Sequence, residues 1–416
     1  MYQKRILPGG VRLIYERMPH TRSAALGIWV GSGSRFEPAG QAGISHLIEH
    51  MMFKGTDTRT AGDIAREMDA LGGRLNAFTG KECTCYHFKA LDEHLLPGAR
   101  VLCDMLFSSR FAPAELETEK GVVYEEIGMY DDSPEDVAIE TLFESCFQGS
   151  GLGRPILGWR RTLEGLDGAD LHRHVRAYYR PEQTVVALCG SIPDEVLDFL
   201  AQRFSHLPPA DGPRQDAARY HRCALVRERE FEQNHLCIGF PSLPAGDEDR
   251  YALAVLSAIL GGGMSSRLFQ SVREERGLCY SIYSFQTAHA DVGLFNLYTA
   301  LSPASEEQAL RLIAGEIERL CRQGPTQEEM DRARTQSRAN ILLSLEDSEA
   351  RMNHQARGEL LLGQAPDQEE LAARYAAVTA EQVTELARRL LRLEDASVCA
   401  VGRVRPPEWY QNTLLG

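Results

Sequence analysis

Two histidines and a glutamate stand within five residues in the text HLIEH, His46 to His50, of a 416-residue chain. On a helix, positions four apart lie on one face, so His46 and His50 can reach a single metal ion together. Glu49 borders that face, where a carboxylate can take the proton of a metal-held water. The order His-x-x-Glu-His inverts the commoner His-Glu-x-x-His pattern and sets the carboxylate beside the second histidine. Against this stands a bland alternative, a helix whose histidines merely face polar surroundings, since so short a pattern recurs by chance.

Catalytic zinc takes three protein ligands and keeps a fourth position for water, so a further donor is needed. The stretch PAELETEKGVVYEEIGMY, opened by Pro113, reads as a long helix. At about 100° per residue, Leu116, Val122, Val123, Ile127, Met129 and Tyr130 define one apolar stripe, with Glu119 and Glu126 near its centre and about 20° apart. Glu125 points about 140° away and is expected in solvent. A carboxylate in the middle of a core-facing stripe is costly unless it is paired or binds a metal. Unless the helix is only partly buried, the spacing therefore offers Glu119 and Glu126 alike as the third donor.

Other chemistry-bearing residues weigh less. Cys83, Cys85 and His87 alternate along a strand and share a face, a set that suits zinc, but the surrounding text is apolar and strand cysteines read as buried packing. His172 and His174, in the charged stretch LHRHVRAYYR, are expected on a helix surface. Ser133-Pro134 reads as a helix start that places Asp136 and Glu140 four apart on one face.

The elements that must carry these groups fall into two similar halves. In the first, SAALGIWVGSGSRFEP is a strand and loop leading into the helical GISHLIEHMMF; in the second, NHLCIGFPSLPAGDED leads into the helical RYALAVLSAILGG. Each half then shows strand-like text and a long helix introduced by a proline, Pro113 or Pro325, and each closes on an apolar strand ending in Gly, TVVALCG or ASVCAVG. The pattern predicts an α+β fold of the α/β roll type: two related halves, each a largely antiparallel sheet with helices packed on one face. Residues 1–207 form the metal-bearing domain, 208–220 a Pro- and Gly-broken linker, and 221–416 a related domain without the metal histidines.

Composition sets the outer bounds. Hydrophobic residues make up 43% and charged residues 25% of the chain, the balance of a globular protein with sizeable cores. A formal net charge of −14 argues against non-specific binding of nucleic acid, which needs Lys and Arg. From Glu115 to Glu140, ten carboxylates face Lys120 alone, a field attractive to basic peptides. No apolar run of signal-peptide or membrane-span length occurs, and the ten cysteines read as free thiols of a reducing compartment. The cytoplasm is the expected location, with no membrane contact.

In these motifs the chain resembles the pitrilysin and insulin-degrading family of inverted zinc peptidases, most of all its short subfamily of mitochondrial and bacterial processing peptidases. HLIEHMMFKGT matches the family's signature helix, and the distance from His50 to Glu126 matches the spacing of its third ligand. Glu119 matches a glutamate that orients the metal's surroundings. LGGRLNAFTGKECTCYHF is similar to the substrate-binding strand region, with Asn76 and Ala77 at its edge positions. GGGMSSRLFQSVREERGLCYSIYS is similar to the segment whose arginine and tyrosine contact bound peptide, here Arg273 and Tyr280. Asp136 and Glu140 resemble acidic residues that receive a substrate arginine.

The resemblance implies one Zn²⁺ per chain held by His46, His50 and Glu126, with Glu49 as general base. It implies peptides or small unfolded polypeptides as substrates, taken up by strand addition. It also implies a homodimer, or a heterodimer with a related chain, in which Arg273 and Tyr280 of one subunit face the partner's zinc site. The rival expectation is a non-catalytic partner or core subunit of the same fold; such members have damaged ligand motifs, whereas here all four catalytic positions are present.

Overall fold

The computed structural model describes residues 2–208 and 216–416, so most of the expected linker, residues 209–215, lies outside the described residues. The chain builds two sheets. The first comprises β1 (Gln3–Ile6), β2 (Arg12–Arg17), β3 (Ser23–Val30), β4 (Arg74–Thr79), β5 (Thr84–Leu91) and β6 (Thr184–Gly190), in the spatial order β1-β2-β6-β3-β5-β4. The second comprises β7 (Ala224–Glu228), β8 (Asn234–Ser242), β9 (Cys279–Ala288), β10 (Gly293–Leu301) and β11 (Ser397–Gly402), in the order β7-β11-β8-β10-β9.

Leaving out β1, the two orders correspond strand for strand. Each sheet is antiparallel except for one pair at the same place, β2 with β6 and β7 with β11. The α+β architecture with two related halves is therefore present in the folded chain.

The helices that matter for the site are α1 (Ile44–Met52), α2 (Pro113–Asp131), α3 (Pro134–Cys146), α4 (Gly168–Tyr178), α5 (Arg250–Gly261) and α6 (Ser348–Leu362). On one face of the first sheet, Leu26, Ile28, Tyr86, Phe88, Val186 and Leu188 form a core with Leu47, Ile48 and Met51 of α1. On the opposite face, Ile14, Trp29, Cys85, Val185 and Ala187 pack with Met352 and Ala356 of α6. Every residue of β6, TVVALCG, is buried, as expected of a continuous apolar strand covered on both sides. The second cover, α6, was not foreseen from the sequence, because it comes from text nearly 160 residues further along the chain.

The compact units are accordingly discontinuous, whereas the sequence reading divides the chain once. One unit holds residues 1–127, 154–216 and 343–367, and so includes α6; the other holds 128–153, 217–342 and 368–416, and so includes α3. In the second unit, Ala138, Leu142 and Cys146 of α3 are buried with Cys237 of β8 and with Cys399 and Val401 of β11. The exchange has a plain cause. A buried strand row needs an apolar helix face against it, and in each unit one such face comes from a segment outside the main run of that unit: α3 precedes the strands of its sheet and α6 follows those of its own. Among the described residues, no helix is long and apolar enough to cross a membrane.

Candidate metal centre

The first unit contains the whole candidate site, and α1 is its platform. Gly43, just before α1, adopts φ +95°. A Cβ there would stand 2.6 Å from the Leu157 carbonyl oxygen, so the position requires glycine. The buried Glu37 carboxylate accepts the N–H groups of Gly43 and Ser45, each at 2.8 Å. These are donors that a helix start leaves without intrahelical partners. Burial pushes the Glu37 carboxyl up to about 7, against the opposing pull of those two N–H groups. With Leu47, Ile48 and Met51 sunk in the core, the remaining face of α1 presents His46, Glu49 and His50.

α2 meets that face. Its buried row is Leu116, Glu119, Lys120 and Val123, and Glu126 continues the row at half burial. The expected wider stripe is not observed: Val122, Met129 and Tyr130 are 47%, 72% and 45% exposed. Helical angle alone does not tell which sector of a face meets a neighbour, and here the contact is narrow. Glu125 is exposed, as its angle implied.

Glu126 Oε2 lies 3.6 Å from His46 Nε2 and 3.7 Å from His50 Nε2. The three donor atoms fall within 4.8 Å of one another, and among the described residues no other group of three or more His, Cys, Asp or Glu meets that condition. Donors bonded tetrahedrally to zinc at about 2.0–2.1 Å stand roughly 3.3 Å apart, so two imidazoles and one carboxylate fit the ion with only a small inward movement. Burial, reinforced by His50, pushes the His46 imidazole down to about 4. It is therefore neutral at physiological pH, the form that ligates a metal.

Glu119 stands behind His50. Its Oε2 lies 3.1 Å from His50 Nδ1 and its Oε1 lies 2.6 Å from Lys54 Nζ. Both oxygens are thus engaged away from the donor triangle, which separates the roles of the two candidate carboxylates. Glu49 is half-buried, and Thr79 Oγ1 donates to its Oε2 at 2.5 Å. Burial raises the Glu49 carboxyl above its ordinary range and Glu126 adds to the rise, while the Thr79 hydrogen bond and His50 oppose it.

Asn76 and Ala77 lie on β4, the outermost strand of its sheet. Its burial alternates residue by residue, Asn76 outward and Ala77 inward, and among the described residues no further strand pairs with its outer side, while the Ala77 N–H donates to Asn76 Oδ1 at 2.9 Å. In the second unit, Arg273 donates to the carbonyl oxygen of Tyr280 at 2.5 Å and lies over the Tyr280 and Phe269 rings, 4.8 and 4.6 Å from their centroids. Tyr280 is 74% exposed at the start of the edge strand β9. Asp136 and Glu140 sit half-buried on α3 after Ser133, whose hydroxyl caps the helix by accepting the N–H of Asp136.

Cys85 is buried against α6, and His87 Nδ1 lies 3.0 Å from Glu349, which agrees with packing rather than a second metal. His174 is not a surface residue but is 4% exposed. Its ring stacks on Tyr178 at 4.1 Å, and its Nε2 lies 3.4 Å from Ser45 Oγ of α1. The charged letters around it belong to the other side of α4, and a strongly amphipathic helix buries whatever falls on its inner row. His172 is partly exposed, as expected.

Four contributors are not evident from the sequence: Glu37, Lys54, Thr79 and His174 as a packing residue. Lys54 follows His50 by four positions and Thr79 follows Ala77 by two, so helical and strand periodicity place each beside a residue already named. Glu37 sits in a loop and gives no periodic signal.

Residues 12–160 match the family model described as insulinase (peptidase family M16), and residues 165–337 match the peptidase M16 inactive domain. The chain is 40% identical over 391 residues to an uncharacterized zinc protease, YmxG, of Bacillus subtilis, covering 94% of this chain and 96% of that one. Among solved structures it is similar to a protease from Helicobacter pylori, with a TM-score of 0.90 at 20% identity over 97% of this chain and 99% of that one. It is also similar to a chain of complex III2 from Candida albicans, with a TM-score of 0.84 at 18% identity over 99% of each. At such identities the two structures bear on the fold alone.

Proposed function

The chain belongs to the insulinase family of peptidases, M16, and from that premise we propose that it is a zinc-dependent metalloendopeptidase acting on peptides or small unfolded polypeptides. One observation carries the reading: His46, His50 and Glu126 converge from two helices on a single point, with a half-buried carboxylate, Glu49, on the same face. When bound there, zinc supplies Lewis-acid polarisation of the scissile carbonyl and makes a water acidic enough to deprotonate near neutrality.

The protein's own groups do the rest. His46 and His50 offer their Nε2 nitrogens, and Glu126 supplies the negative charge that favours a cation. Glu49 Oε2 is held by Thr79, which leaves Oε1 to accept the water's proton and pass it to the leaving amine. The raised pKa of Glu49 suits it to both transfers. An extended peptide pairing with the free edge of β4 near Asn76 and Ala77 is fixed by backbone hydrogen bonds alone, which supports broad sequence tolerance.

Three finer features belong to the same proposal. Asp136 and Glu140 favour substrates containing arginine; reversing both charges should hurt arginine-containing peptides selectively, and equal losses on neutral peptides would discard the idea. Arg273 and Tyr280 contact bound peptide, and self-association brings them to the zinc site of the partner chain. The ten free thiols suit a reducing compartment such as the cytoplasm. The rival reading, a non-catalytic subunit of the same fold, is disfavoured by the intact set of Glu49 and three donors.

The test is mass spectrometry of a peptide library incubated with the purified chain, with and without a zinc chelator. Cleavage that disappears with chelation and returns with zinc is expected. Absence of cleavage, or cleavage indifferent to the chelator, would sink the proposal.

A further inference from the structure

The buried carboxylate of Glu119 presents a physical problem. Its side chain is 5% exposed, and an anion so enclosed is unfavourable without opposing charge and hydrogen bonds. The neighbouring cation in sequence does not help it: Lys120 Nζ bonds the Glu117 carboxylate at 2.8 Å and the Glu164 carbonyl oxygen at 3.3 Å. The opposing charge comes instead from Lys54, just past the end of α1. There the backbone still turns, with Lys54 N–H bonded to the Met51 carbonyl oxygen at 3.1 Å. That turn sets Lys54 one helical step beyond His50, so its ammonium reaches Glu119 Oε1 at 2.6 Å while His50 Nδ1 lies 3.1 Å from Oε2.

We propose that Lys54 is a positioning residue of the metal centre: it holds the Glu119 carboxylate so that Glu119 accepts the Nδ1–H of His50 and leaves His50 Nε2 as the lone-pair nitrogen facing Glu126. The proposal rests on the reading of His46, His50 and Glu126 as zinc donors. Which ring nitrogen of a histidine ligates is set by the hydrogen bond the other one makes. Removing the outer partner of such a chain costs metal affinity because the ring loses both its tautomer and its orientation. With Lys54 gone, Glu119 Oε1 loses the ion pair that holds it, and the carboxylate is free to turn away from His50. Lys54 touches neither substrate nor ion in this scheme and acts only through Glu119.

The experiment uses the full-length chain stripped of metal. Zinc affinity is measured by competition with a chromogenic chelator, and the His50 tautomer is read in the metal-free protein by long-range ¹H–¹⁵N NMR. Lys54→Met, which keeps the apolar stem, is expected to weaken zinc binding about 10–100-fold and to reduce the Nδ1–H population of His50. Lys54→Arg should restore both. In a Glu119→Gln background, Lys54→Met should add no further loss, which keeps the idea testable if the single variant folds poorly. Wild-type zinc affinity and an unchanged His50 tautomer in folded Lys54→Met would overturn it, as would additive losses in the double variant. A wild-type chain that takes up no zinc would instead refute the donor assignment itself, and this inference along with it.

Discussion

Thr79, the last residue of β4, donates its hydroxyl to Glu49 Oε2 across 2.5 Å. The edge strand β4 and the helix bearing His46 and His50 are thereby joined through Glu49, the carboxylate proposed as the base. Thr79 is itself anchored: its strand partner Thr84 is buried and donates to the Ser32 carbonyl oxygen at 2.8 Å. The bond stabilises ionised Glu49 and fixes which of its oxygens remains free.

Replacing Thr79 by Val keeps the β-branched shape and removes the donor. Turnover should fall about tenfold, the order of one hydrogen bond to a charged group, with KM little changed and zinc retained. The sign of the pH effect follows. Loss of a bond that lowers the Glu49 pKa raises it, and since the base acts deprotonated, the acid limb of kcat/KM moves to higher pH. Thr79→Ser should behave as the wild type. A Val variant with an unshifted acid limb would show that the hydroxyl is only structural.

Glu49→Gln should lose about 10²–10⁴ of the turnover, the usual contribution of a positioned general base, while still binding one zinc per chain. The separation arises because Glu49 is not among the three converging donors. Metal analysis alongside peptide hydrolysis reads both quantities. Zinc loss on this substitution would mean that Glu49 serves the ion rather than the water.

What could be read from the text, and what could not, divides along the range of the interactions. The face shared by His46 and His50 and the one shared by Glu119 and Glu126 were legible because helical spacing fixes faces locally, and the two-half architecture was legible because its strand and helix signals recur. The choice between Glu119 and Glu126 was not decided by angle, since about 20° separates them; it depends on Lys54 and His50 occupying both Glu119 oxygens. The exposure of Val122 and Met129, the burial of His174 and the exchange of α3 and α6 between units all depend on which distant segment arrives at a face. No local periodicity carries that information.

Glu37 should prove more important to stability than its place in a loop suggests. Glu37→Ala leaves the N–H groups of Gly43 and Ser45 buried without an acceptor, a loss of about 1–3 kcal/mol, measurable by urea unfolding at constant pH. Glu37→Gln keeps one acceptor oxygen and should cost less. The two variants also differ from the wild type in pH dependence. Folding raises the Glu37 pKa from 4.5 to about 7, so between those values the native state holds more protons than the unfolded chain. Wild-type stability therefore declines as pH rises through this window, and Gln should remove that contribution. An Ala variant as stable as the wild type would mean that water satisfies the helix start.

His174 should shape stability from the opposite direction. Burial pushes its imidazole from 6.5 down to about 3, so the folded protein keeps it neutral where the unfolded chain takes up a proton. Below pH 6.5 the unfolded state binds more protons, and stability falls as pH falls, by up to about 1.4 kcal/mol per unit. His174→Phe keeps a ring to stack on Tyr178 and cannot titrate, so its stability should decline less between pH 6.5 and 4 than that of the wild type. His46 contributes in the same direction in metal-free protein but is present in both, so it cancels in the difference. Parallel stability curves for the two proteins over that range would show that acid reaches the His174 ring without unfolding, and that the wall between α4 and α1 opens more easily than its packing implies.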